Sequence, residues 1–320
     1  NWGVQYRDTG RHPARAFQRF DLGDRSLVPV IAALANDPEA APIWRATALE
    51  TLGQAGGREA IQSVTAVLYD DDPILRSSAV RSLQFLPLHQ RYQLLQPLME
   101  DEVDTVRMEV AQSLAGVPLD QVSPEQARAL ENLFKWYLGI LEIHADMPET
   151  QLQKGVFYVE RGDLPSAEAA YREALLLNHQ LVPAYLNLAD LLRSQNRDDE
   201  ARQLMLEVLQ FAPDNAPTLH SLGLLEARSG APEKALEYLG KAAALETDGS
   251  RHRFVYAIAL LDLGQPHEAV RQLQSLLQQL PRSEEVLLAL ANYTAELGQR
   301  DNARGYARTL TEISPGNTAY

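Results

Sequence analysis

The chain has 320 residues, 45% of them hydrophobic, which exceeds one ordinary compact core and suits a long repeat array or two domains. A formal charge of -14 repels a phosphate backbone and no Lys/Arg-rich tract offsets it, so composition argues against nucleic acid as a partner. The lack of cysteine excludes a disulfide, a thiolate metal site, a cysteine nucleophile and CxxCH haem attachment within the chain, and no apolar run approaches the ~20 residues that span a bilayer, so no membrane insertion is expected.

Residues 1–24 form a basic segment. Arg7, Arg11, Arg15 and Arg19 recur every four residues, a spacing that would place them on one helix face, but Gly10 and Pro13 interrupt a continuous helix across the first two. The first residue is Asn1 rather than Met, and no signal peptide follows it, so a processed product or a piece of a longer protein is expected.

Residues 25–120 carry a period of 31. Arg45, Arg76 and Arg107 recur 31 residues apart, each followed by a small apolar residue at +3 and by Leu at +7 (Leu52, Leu83 and Leu114), a spacing that keeps all three positions on adjacent turns of one helix face. This pattern resembles the HEAT repeat. The resemblance implies that each Arg, near the start of a second helix, bonds an acidic residue of the inter-helix loop, with Asp37, Asp71 or Asp72, and Asp104 as candidates. Asp70-Asp71-Asp72-Pro73 lacks the spacing of a calcium loop and reads as a helix start, with a capping carboxylate and Pro in the first turn. Residues 121–147 contain a joining helix opened by Ser123-Pro124-Glu125 and running to about His144, with Phe134, Trp136, Tyr137 and Leu141 as core side chains that cover the first face of the array that follows.

From residue 148 to 320 the period is 34. GDLPSAEAAYREALLL, NRDDEARQLMLEVLQF, GAPEKALEYLGKAAAL, GQPHEAVRQLQSLLQQ and GQRDNARGYARTLTEI align without a slip. Ala167, Ala201, Ala235, Ala269 and Ala303 share the position where two helices cross closely. Gly162, Asn196, Gly230, Gly264 and Gly298 share a left-handed turn, and Pro213, Pro281 and Pro315 follow helix ends. The pattern resembles the tetratricopeptide repeat, although Glu226 stands where that family prefers an aromatic residue. The fold expected is therefore all-α, an α-solenoid of three HEAT-like repeats, a joining helix and five tetratricopeptide units.

No HExxH, GxSxG, phosphate loop or dinucleotide fingerprint occurs, and His12, His89, His144, His179, His220, His252 and His267 form no close metal pair in sequence, so no enzyme activity and no metal site are expected. What remains is a surface. The tetratricopeptide resemblance implies an inner wall built from fixed positions of each first helix: Leu152, Val156, Asn187, Asp190, Arg193, His220, Leu224, Arg228, Phe254, Ile258, Asn292 and Glu296, which would take a protein or peptide. The Lys-rich clamp for C-terminal carboxylates found in some members is missing.

The order of parts, from Asn1-Trp2-Gly3 and Arg11-His12-Pro13 through HEAT-like units and a joining helix ending in HADMPET to the 34-residue repeats, resembles the C-terminal half of bacterial secreted multihaem c-type cytochromes. That resemblance implies a periplasmic location, no cofactor in this chain itself, haems in a portion preceding Asn1, and a haem domain of the same polypeptide as a partner. His12 would then be a distal iron ligand, or the basic segment a dock for haem propionates.

Overall fold

The computed structural model describes residues 12–245 and 251–313, and all regular structure among them is helical. Contacts divide the chain into two compact units, residues 1–177 and 178–320.

The first unit begins with α1 (Pro13–Asp21), which His12 caps by accepting the Ala14 N–H on Nδ1. Three hairpins follow: α2 (Val28–Ala35) with α3 (Pro42–Ala55), α4 (Gly57–Val67) with α5 (Pro73–Arg81), and α6 (Leu88–Leu95) with α7 (Asp104–Leu114). The second helices stack directly on one another, α3 on α5 and α5 on α7. Gly53 marks how close that stacking is: a Cβ placed there would lie 2.8 Å from the Ser82 carbonyl oxygen. Trp2, Arg7 and Arg11 lie outside the described residues, whereas Arg19 pairs with the buried Asp24 next to α1.

The 31-residue ladder exists, but its acidic partners are not the ones expected. Arg45 donates from Nη2 to Asp70 at 3.0 Å and from Nε to the Ala35 carbonyl. Arg76 holds Asp101 with two parallel bonds of 2.9 Å, and its Nη1 donates to the carbonyls of Asp70 and Asp71. In both cases the carboxylate is 25 residues downstream, in the loop of the next repeat. Asp37, Asp72 and Asp104 are not the partners, and Asp71 serves Arg76 with its backbone carbonyl rather than its carboxylate. Asp72 instead caps α5 by accepting the Ile74 N–H, ahead of Pro73 in the first turn. Arg107 has no carboxylate: its guanidinium lies 3.7 Å from the ring of Trp136.

That ring belongs to α8 (Pro124–Ile143), the joining helix, opened by a reciprocal capping box between Ser123 and Gln126. α8 packs on α7 on one side and on α9 (Pro148–Glu160) on the other. Phe157 of α9 meets Phe134 at 5.5 Å and Tyr137 at 4.9 Å between ring centres, and Tyr137 takes a hydrogen bond from Gln112 of α7. Arg161, just past α9, donates to the carbonyls of Ala115 and Val117 at the end of the HEAT-like stack. These contacts explain why the first tetratricopeptide hairpin, α9 with α10 (Leu164–Leu177), groups with the upstream unit. Within it Gly155 sits against Tyr171, where a Cβ would come to 2.2 Å from the ring.

The second unit repeats the hairpin four times: α11 (Val182–Ser194) with α12 (Asp198–Phe211), α13 (Ala216–Arg228) with α14 (Pro232–Leu245), α15 (Arg251–Asp262) with α16 (Pro266–Gln279), and α17 (Glu284–Glu296) with α18 (Arg300–Ile313). Gly162, Asn196, Gly230, Gly264 and Gly298 all have φ between 61° and 75°, as the turn position requires. Asn196 is the non-glycine among them, and Asn is the residue that tolerates this region best after Gly. Ala167, Ala201, Ala235 and Ala269 are fully buried at the helix crossings, while Ala303 in the last helix is only half-buried. Pro213 and Pro281 follow the ends of α12 and α16, and Pro315 lies outside the described residues. Replacing Ala235 by Leu is expected to overpack the α13–α14 crossing and cost about 1 to 3 kcal/mol, read as a lower urea midpoint of the second unit. An unchanged midpoint would contradict the tight crossing.

Glu226 shows what a carboxylate does in an aromatic position. It is 4% exposed on α13, and Arg202 of α12 reaches it from the preceding repeat with a 2.7 Å bond. The same Arg also binds Asp199, and the bond to Glu226 holds its guanidinium above its ordinary pKa. Arg202→Met is expected to leave that carboxylate without its donor and to cost about 2 kcal/mol, measured by thermal unfolding. Partial recovery in Arg202→Met/Glu226→Leu would identify the stranded charge as the cause.

Candidate functional site

The face expected to bind a partner is carried in the second unit by the first helices α11, α13, α15 and α17. Its side chains fall into three groups. The first consists of charged residues already engaged with each other. Asp190 and Arg193 pair along α11 at 3.0 Å, and Arg228, at the end of α13, donates to Asn196 at 3.2 Å and pairs with Asp198 at 3.4 Å. Arg228 thus braces the turn of the preceding hairpin. These ions are partly exposed, so each pair contributes under ~1 kcal/mol and exchanges readily for a partner's charge.

The second group is buried or half-buried. His220 is 8% exposed and meets His252 of α15 edge to face, ring centres 4.7 Å apart. Phe254, in the register position after His220, leans into the cluster of Ala257, Val270, Leu273 and Leu290. Asn187 and Ile258 are half-buried.

The third group is open: Leu224 is 44% exposed one turn before Arg228, and Asn292 is exposed on α17. Leu152 and Val156 belong to α9 of the first unit and lie outside this set. Sequence register placed the helices correctly but did not foresee that His252, two positions ahead of Phe254, would be the residue against His220. It also gave no sign of the Arg202–Glu226 pair beneath the same helix.

Among the described residues the surface therefore offers both signs of charge, amide groups and an exposed leucine on successive first helices. Among the described residues no three His, Asp or Glu side chains come together to hold a metal ion, and no helix is long and apolar enough to cross a membrane.

These features define a helical-repeat protein of HEAT and tetratricopeptide type. A family profile described as HEAT repeats matches residues 11–84 and 27–115, and two described as tetratricopeptide repeat match residues 152–216 and 250–293. Among curated proteins the chain is 26% identical over 163 residues to the human protein O-mannosyl-transferase TMTC3, spanning 46% of this chain and 18% of that protein's length. It is 26% identical over 186 residues to the type IV pilus assembly protein PilF of Pseudomonas aeruginosa, covering 56% of this chain and 72% of PilF. Similar solved structures include MamA, with 17% identity and a TM-score of 0.46 over 54% of this chain and 94% of MamA. Another is YrrB, described as a tetratricopeptide protein with an unusual peptide-binding site, with 20% identity and a TM-score of 0.44 over 56% of this chain and 93% of YrrB.

Proposed function

We propose that the chain is a non-catalytic protein-interaction scaffold whose second unit takes a protein segment on the face of α11, α13, α15 and α17. The observation that carries this reading is the exposed Leu224 on first helices that also carry exchangeable ion pairs, Asp190 with Arg193 and Arg228 with Asp198. An apolar step flanked by both charge signs suits a side chain of the partner seated between polar anchors. Photo-crosslinkers at Leu224 and Asn292 are expected to trap the same protein, with a control at the exposed Leu206 of α12 trapping none of it. Binding of that protein, once purified, is expected to weaken by roughly tenfold or more in Leu224→Asp. Equal trapping from Leu206, or full affinity in Leu224→Asp, would overturn the assignment.

As a finer reading, we propose that this scaffold is the interaction half of a larger periplasmic redox protein of multihaem type. The order of the basic segment, HEAT-like stack, joining helix and tetratricopeptide units supports it. The residues at the N-terminal end fit a haem only in part. His12, Arg15 and Arg19 rim a cavity of about 640 Å³ floored by Leu27, Val30 and Leu34, which suits an apolar ring with anionic edges. The Nδ1 of His12, however, is committed to capping α1, and no cysteine is present for thioether attachment. A contact between this end of the chain and the propionates of a haem domain is therefore favoured over iron ligation. CxxCH motifs in the gene upstream of Asn1 would support this reading, and a complete gene without them would remove it.

A further inference from the structure

We infer that Arg107 is the open end of the arginine ladder and forms, with Arg128, a binding site for a carboxylate supplied from outside the chain. Two rungs of the ladder are closed. Arg45 and Arg76 each hold an Asp 25 residues downstream, and in each case that Asp also accepts a backbone N–H of its own loop, from Asp72 or from Val103. At the third rung the residue at that offset is Asn132, within α8, and no carboxylate reaches Arg107. Its guanidinium rests on Trp136 at 3.7 Å, and its buried Nε has no hydrogen-bond partner. A guanidinium with no acceptor at a buried N–H carries a desolvation cost that an incoming carboxylate would relieve.

There is room for one. A cavity of about 530 Å³ opens between the loop ahead of α7 and the face of α8, lined by Arg107, Arg128 and Asn132, with Pro97, Met99 and Leu133 as its apolar walls. Glu100 and Glu125 also border it, so the site balances two cations against two anions and selects against a dense polyanion. A single carboxylate is the group that fits, because a guanidinium takes a carboxylate with two parallel N–H donors, as Arg76 takes Asp101, and Arg107 lines the cavity. The carboxylate could come from a small acid or from an acidic loop of a protein. Both sources present the same carboxylate, and the closed rungs show the loop form of it.

The test uses the whole chain labelled with 5-fluorotryptophan, following the Trp136 resonance, assigned with Trp136→Phe. Three probes are titrated at constant ionic strength: sodium glutamate, a capped peptide LMEDEVDT copied from residues 98–105, and the same peptide with Asn in place of Asp101. A saturable shift with glutamate and the first peptide means that the site takes a carboxylate from either source. A shift with the peptide alone means that it takes an acidic loop. Either result is expected to weaken at least ~10-fold in Arg107→Lys and in Arg128→Gln, which keep the fold intact more safely than removal of the aliphatic stem. No saturable shift with either carboxylate probe, an equal response to sodium chloride, equal binding of the Asn peptide, or full binding in Arg107→Lys would each overturn the proposal.

Discussion

Gly53→Ala is expected to be among the most damaging single-methyl changes in the first unit, lowering its stability by about 3 kcal/mol or more. The added Cβ would lie 2.8 Å from the Ser82 carbonyl oxygen and 2.9 Å from the Ser82 Cα, closer than nonbonded atoms approach. Both obstacles are backbone atoms of the chain leaving α5, so no side-chain rotation relieves the overlap. The two stacked second helices must separate, and Leu49, Leu52, Leu75 and Leu83, all fully buried nearby in the same core, lose contact as they do. Hydrogen exchange of α3 and α5 reads the effect directly. A variant with wild-type protection in both helices would show that the stack yields more easily than its geometry implies.

Arg76→Met is the second expected large effect, about 3 to 5 kcal/mol, because it leaves the Asp101 carboxylate buried without its bidentate donor. Arg45→Met is expected to cost less, since the Arg45–Asp70 pair is more open to water. The pH dependence gives an independent check. Burial pushes the Asp101 carboxyl up, but the bonds from Arg76 and from the Val103 N–H outweigh burial and hold it below its ordinary value. A group whose folded pKa is depressed stabilises the fold above the unfolded value of about 4, and that contribution is lost as pH falls through the folded pKa. The wild-type chain is therefore expected to lose stability on acidification below about pH 4 more steeply than Arg76→Met/Asp101→Leu, in which that titration is gone. Parallel acid profiles would place the pair's contribution elsewhere.

The helical hairpins were readable because two features recur at fixed intervals and each has one physical cause. A left-handed turn needs Gly or Asn, and a close helix crossing needs Ala, so Gly162, Asn196, Ala201 and Ala235 announce their roles alone. The arginine ladder was visible for the same reason, but its partners were not. A loop carboxylate facing its own repeat and one facing the preceding repeat have the same sequence, and only the stacking of α3 on α5 decides that Asp70 serves Arg45. Arg107 reads as a third equal rung because nothing in its own turn shows that Trp136, rather than an acid, lies against it.

The binding face was less legible. Register identifies which helix a residue occupies, not whether its side chain turns outward. Phe254 leans into the core shared by its own hairpin and α17, and His220 meets the edge-to-face ring of His252. Leu224 and Asn292, with the same kind of register, remain open. Which side chains turn outward depends on packing across repeats rather than on any one repeat's own letters.

Because each closed rung joins an Arg to an Asp at a constant offset of 25 residues while the units recur every 31, the stack tolerates a change of length better than a change of letter. Excising residues 46–76 as a block would bring Arg45 into the register that Arg76 now holds toward Asp101, and duplicating the same block would add a rung without unpairing any other. The first unit is thus expected to accept loss or gain of this whole module, with Arg107 against Trp136 still the last arginine.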